Sequence, residues 1–199
     1  FAEICHKGFG YIRAAVDEQN PDKFDELNQK LIKYEEITDR IEYEIASYLN
    51  DVSKFELSNE SGSRIKAMYK IIGEMESLGD SGEAIGRMLQ RKNVHGKAFD
   101  ENMLKRLDKM LDLVDAAYVA MIENLKKKYS SLTDISNAED AEYNINEYRN
   151  ALREEHIVNL ESNTYNYQTG VFYMDVISEL EKMGDFIINI SQAELEVEG

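Results

Sequence analysis

The sequence predicts an all-α chain of six helices arranged as two tandem three-helix bundles. Three observations predict it. One proline in 199 residues leaves long stretches in which a helix is never interrupted. Apolar residues recur at three- and four-residue steps through six segments. The pattern of acids and glycines at 73–86 returns at 178–191, the mark of a repeated unit.

The elements follow in order. Ile4, Phe9, Ile12 and Val16 share one helical face and predict a short first helix over 2–16, closed by Asn20-Pro21 because proline disfavours helix in the residue before it. Residues 22–52 set Phe24, Leu27, Leu31, Tyr34, Ile41, Ile45, Tyr48 and Val52 on one face of a long second helix. Ser58 is a plausible cap for a third, whose stripe of Ile65, Met68, Ile72, Met75, Gly79 and Leu89 runs to about residue 91. Asn93-Val94-His95-Gly96 breaks the pattern. Asp100 then caps a fourth helix carrying Leu104, Leu107, Leu111, Val114, Tyr118, Met121 and Leu125, and Lys126, Lys127 and Lys128 sit at the end its dipole makes negative. After a break at 130–136, a fifth helix over 137–160 uses Ile145, Tyr148 and Leu152. A second break at 163–170 leads to a sixth helix ending near 193, with Tyr173, Ile177, Leu180, Gly184, Ile187 and Ser191 in line. The expected repeats are residues 1–92, with a shortened first helix, and 97–199.

Composition narrows the function. Asp and Glu number 39 against 23 Lys and Arg, a net charge of −16, so the basic face that nucleic acids and anionic membranes require is missing. The single Cys5 excludes an intrachain disulfide framework and any cysteine-built metal cluster, which fits a reducing compartment. No apolar run reaches the ~18 residues that span a bilayer. The sequence opens at Phe1 inside a helical pattern, from which further chain upstream is expected.

Chemistry concentrates in the repeated unit. Laid 105 positions apart, the two copies match Glu74 with Glu179, Glu76 with Glu181, Gly79 with Gly184, Asp80 with Asp185 and Ile85 with Ile190. Glu76 and Asp80, like Glu181 and Asp185, lie one turn apart on one helix face, at the edge of the apolar stripe, where half-buried carboxylates are expected. Like charges at this spacing cost roughly 0.2–0.5 kcal/mol even in water, and desolvation adds to that. A Lys, an Arg, protonation or a metal must compensate. The interior glycines, each costing about 0.5–1 kcal/mol relative to alanine, point to close approach of a neighbouring helix. The second helix repeats the acidic pair as Glu35 and Asp39, with Glu42 beyond. The fifth helix has no clean i,i+4 acidic pair, leaving Glu142 as its candidate and one of the two sites degraded. Oxygen ligands of this kind suit magnesium, calcium, manganese or iron, and admit zinc. A single such pair in so acidic a chain is ordinarily a solvated helix face; the duplication beside a duplicated glycine tips the balance toward a cation site.

A ferritin-like carboxylate-bridged enzyme would need Glu-x-x-His on two helices. Only Glu3-Ile4-Cys5-His6 has that form, and His156, beside Glu154 and Glu155, reads as an interface residue. No nucleophile motif or glycine-rich phosphate cradle is present. Tyr165, Tyr167, Phe172 and Tyr173, with Tyr129, Tyr143 and Tyr148, read as packing at helix ends.

The run Glu-Leu-Glu-Lys-Met-Gly-Asp-Phe-Ile-Ile-Asn-Ile at 179–190, with its partner at 74–85, resembles the PhoU family of phosphate-transport regulators, tandem three-helix bundles with an acidic motif in each repeat. The stretch from His156 through Tyr165-Asn166-Tyr167-Gln168-Thr169-Gly170 to Ile190 is similar to the PhoU-like cytoplasmic tail of bacterial sodium/phosphate cotransporters. The resemblance implies metal ligation by Glu76, Asp80, Glu181 and Asp185, with Glu35 and Asp39 as the helix-two equivalents. The ions expected are divalent or trivalent: iron, zinc, manganese, magnesium or nickel. It further implies a non-enzymatic regulatory domain at the cytoplasmic face of the inner membrane. The implied partners are the membrane domain of the same transporter and a second copy in a homodimer, with no nucleic acid and no insertion of this segment into the membrane. A di-metal enzyme and a metal-free helical adaptor stay open as alternatives at this point.

Overall fold

The computed structural model describes residues 1–127, 132–162 and 164–196. Six helices run through them: α1 (Ala2–Val16), α2 (Pro21–Val52), α3 (Asn59–Val94), α4 (Glu101–Leu125), α5 (Ser136–Glu161) and α6 (Tyr167–Glu196). Three starts are capped by side chains that accept an otherwise orphaned N–H. Asn20 accepts from Lys23, with Pro21 in the first helical position; Ser58 accepts from Ser61, and Asp100 from Met103.

Within each triplet, helices consecutive in the chain run antiparallel. α1, α2 and α3 pack on one another, as do α4, α5 and α6 with α6 central, and the two triplets meet along α3–α6 and α1–α4. Both meetings are written in polar contacts. Ser81 on α3 donates to Glu179 on α6 at 2.8 Å, and Asn189 donates to Glu74 at 3.3 Å. Across α1–α4, Glu3 pairs with Lys126, His6 with Asp115, and Arg13 with Asp108 and Asp112. Beneath these seams one apolar core runs through both triplets, with Phe9, Ile12, Leu31, Met75, Ile85, Leu107, Val114, Tyr118, Ile145 and Leu180 all buried in it. Burial of apolar surface on this scale, at about 25 cal/mol per Å², is the main term holding the triplets together.

Some expected boundaries move. α3 continues to Val94 because its exit is a Schellman turn. Gly96 takes φ +61, Lys97 donates to the Lys92 carbonyl at 3.0 Å, and Gly96 to that of Asn93 at 2.9 Å. Residues 167–170, expected in a break, form the first turn of α6, where Asn166 accepts from Gln168 through its side chain and from Gly170 through its carbonyl. Gly170 serves packing instead, since a Cβ there would run into His156 and Tyr165. Tyr48, expected on the apolar face of α2, is 68% exposed, because α2 beyond Thr38 buries only Leu49 and projects past the core with Tyr43 and Phe55. Lys128, Tyr129, Ser130 and Asn163 lie outside the described residues.

Candidate functional site

The site begins with a glycine. Gly79 on α3 faces Thr38 on α2, and a Cβ at Gly79 would overlap the Thr38 hydroxyl. That hydroxyl donates to the Glu35 carbonyl at 2.8 Å. Two turns on, Gly86 meets Asn28 in the same way. Small residues at these two points let the backbones of α2 and α3 approach, and the approach brings together acids that flank the contact. Glu35 precedes Thr38 by one turn, Asp39 follows it, and Asp80 follows Gly79.

The result is a convergence of three carboxylates. Oxygens of Glu35, Asp39 and Asp80 all lie within 4.8 Å of one another, and among the described residues this is the one such group of potential metal ligands. Glu76, one turn before Asp80, faces the same field from an open depression that it lines with Asp39, Arg40, Glu42 and Tyr43. Partial burial and the negative neighbours act together on protonation. Glu35 is pushed above the ordinary carboxylate range by burial, then by Asp39 and Glu83. Burial, then Asp80 and Asp39, do the same to Glu76, against a weak donation from Ser77. Burial, then Asp39, raise Asp80; Arg87 opposes this, although it is itself paired with Glu83 at 2.9 Å. Glu35 and Glu76 are half-buried as the sequence leads one to expect, whereas Asp39 and Asp80 are exposed, because they stand on the outer edge of the helix pair. The group is thus reachable from solvent, with Arg40 on the rim of the same depression.

The second triplet repeats the scaffold with different chemistry. Gly184 on α6 faces Ile145 on α5, whose Cδ1 would lie 3.0 Å from a Cβ at 184. Glu142, Glu181 and Asp185 flank this contact, yet among the described residues their oxygens do not converge as those of Glu35, Asp39 and Asp80 do. Arg149 on α5 donates to Glu181 at 2.5 Å, and Asn146 donates to Glu142. Asp185 is raised above its ordinary range by burial, then by Glu181 and Glu142, with Arg149 pulling the other way.

Sequence reasoning missed Arg149 and Asn146, along with the Ser81–Glu179 bond in which a buried glutamate also takes Lys182 at 3.0 Å. It found the isolated Glu-x-x-His. Both of its ends are spoken for, Glu3 by Lys126 at 2.7 Å and His6 by Asp115 at 2.8 Å, with the imidazole stacked on Tyr118. His156 on α5 bonds the hydroxyl of Tyr165, in the segment leading to α6, at 2.6 Å, and burial lowers its pKa.

Against solved structures the chain matches PhoU from Pseudomonas aeruginosa with a TM-score of 0.84 at 12% identity, over 98% of this chain and 90% of that one. It also matches the phosphate transport system regulatory protein PhoU from Streptococcus pneumoniae, with a TM-score of 0.77 at 17% identity, over 99% of this chain and 89% of that one. The fold is that of PhoU. No family model matches the chain, and no curated protein matches it in sequence. The likeness to PhoU therefore lies in the course and packing of the six helices. No helix among the described residues of this PhoU-like chain is long and apolar enough to cross a membrane.

Proposed function

We propose that this chain is a regulatory, non-enzymatic module of phosphate transport that binds a metal cation between α2 and α3. The single observation that carries the cation site is the convergence of Glu35, Asp39 and Asp80, with oxygens within 4.8 Å of one another. Glu76 adjoins it. Three carboxylates on two helices form a hard-oxygen set, which favours magnesium or manganese and admits iron, zinc or nickel. A bound cation would replace mutual repulsion with attraction and fix the α2–α3 distance that Gly79 permits. The ion's worth to the fold would then be a free-energy difference between two arrangements of that helix pair, the form in which a ligand biases a conformational equilibrium.

The phosphate-transport role is supported by the PhoU fold, and by the name of the Streptococcus pneumoniae structure as a regulatory protein of a phosphate transport system. Within that reading residues 1–92 and 97–199 are the two repeats. The partner is the membrane domain of a sodium-dependent phosphate transporter at the cytoplasmic face of the inner membrane, and a second copy completes a homodimer. Two measurements test this. Manganese titrated into EDTA-dialysed protein is expected to bind at one site that Asp39→Asn/Asp80→Asn abolishes. Phosphate uptake in cells carrying that double variant is expected to lose its normal regulation; uptake indifferent to both the variant and deletion of the gene would reject the transport role.

A further inference from the structure

The two glycine contacts give a register between the triplets that the helix pairs themselves define. Thr38 opposes Gly79 and Ile145 opposes Gly184. Counting from these, Glu35 corresponds to Glu142, Asp39 to Asn146 and Glu42 to Arg149, while Glu76 and Asp80 correspond to Glu181 and Asp185. Five acids in the first triplet thus face three acids, one carboxamide and one guanidinium in the second. The substituted groups are both engaged. The guanidinium of Arg149 donates to Glu181 at 2.5 Å, with the two side chains 26% and 17% exposed. Asn146 donates to Glu142, and Glu74, which reaches Asp185 from α3, is held by Asn189 at 3.3 Å. One oxygen of Glu142 and one of Glu181 that would otherwise serve a cation are taken by N–H donors, and a planar guanidinium bonded to a carboxylate in a half-buried setting is a strong pairing.

We infer that Arg149 is the resident counter-ion of the second triplet, so that the chain takes one divalent cation, between α2 and α3, and none between α5 and α6. This rests on the reading of the α2–α3 acids as a cation site. It makes the response to cation one-sided. The α5–α6 pair is a strut whose spacing is set by the chain's own charge, and the α2–α3 pair is the half that changes, coupled to it through Ser81 beside Asp80 and its bond to Glu179.

The test counts manganese per chain, by elemental analysis and by electron paramagnetic resonance, in the parent, in Asp39→Asn/Asp80→Asn and in Asn146→Asp/Arg149→Glu. One, none and two are expected. A parent that binds two, or Asp39→Asn/Asp80→Asn that still binds one, overturns the inference, since the second triplet would then be a site with Arg149 in place. A parent with one and Asn146→Asp/Arg149→Glu with no more also overturns it, while leaving the α2–α3 site standing. A parent with none and Asn146→Asp/Arg149→Glu with one rejects the α2–α3 site and upholds the role of Arg149. Should that variant not fold, Arg149→Gln in the Asp39→Asn/Asp80→Asn background decides. Its Tm in EDTA is expected to fall by on the order of 5 °C and to recover with manganese. An unchanged Tm overturns the inference.

Discussion

Asp80→Asn should make the protein more stable without metal and less stable with it. At the 4.8 Å limit of the Glu35–Asp39–Asp80 group, two unit charges repel by about 0.9 kcal/mol in a water-like dielectric and by about 3.5 kcal/mol at an effective dielectric of 20. Asp39 and Asp80 are exposed, so the lower figure applies. Asp80 takes part in two of the three pairs, giving about 1.7 kcal/mol, and screening at physiological salt, with a Debye length of about 8 Å, reduces this to about 1 kcal/mol. For a chain of 199 residues that corresponds to a rise in Tm of about 2–4 °C. With manganese a hundredfold above its dissociation constant, the parent gains about 2.7 kcal/mol and the variant loses most of that gain, so the order of stabilities inverts. Differential scanning calorimetry in EDTA and in manganese measures both limbs, and raising salt in the EDTA limb should shrink the difference. Parallel responses of parent and variant to manganese, or a variant less stable than the parent in EDTA, would refute the account of the site.

Other outcomes follow from the same structure. In EDTA the advantage of Asp80→Asn should close as pH falls. Glu35, Glu76 and Asp80 have folded-state pKa values raised above the ordinary 4.5, 4.5 and 3.8, so the folded protein holds these protons more tightly and stability declines as pH rises through that upper interval; urea unfolding across a pH series measures it. Gly79→Ala and Gly73→Ala should move Tm in opposite directions. A Cβ at 79 strikes Thr38, an overpacking cost of about 1–3 kcal/mol, whereas nothing lies within 4 Å of one at 73, which gains about 0.8–1.0 kcal/mol of helix propensity. Ser81→Ala should cost about 1–2 kcal/mol by removing a donor from the buried Glu179, seen as a lower midpoint in urea at unchanged slope. Cys5 is buried and its thiol pushed up to about 12, so it should resist a thiol reagent at pH 8 until the protein unfolds; rapid labelling of the folded protein would contradict the packing of α1 on α3.

Periodicity, caps and the acid–glycine repeat are local properties of the chain, and they were enough to announce six helices, the Ser58 and Asp100 caps, the pairing of Gly79 with a neighbouring helix and the acids Glu35, Asp39 and Asp80. What one helix shows to another is not local. The copies of α3 and α6 align 105 positions apart, but the glycine contacts set α2 against α5 at 107, because the chain from Thr38 to Gly79 is two residues longer than that from Ile145 to Gly184. Aligned at 105, Glu35 falls on Asp140, Glu42 on Glu147 and Arg149 on Glu44, so the residues that flank the two glycine contacts are set against the wrong counterparts. The sequence by itself determined which residues lie along the face of each helix. Only the tertiary structure decided which of them meet, since the rotation and slide of one rod on another are set by where Thr38 and Ile145 fit against a residue without a side chain. From that fit come both the solvent-reachable acids of α2–α3 and the guanidinium that fills their counterpart in α5–α6.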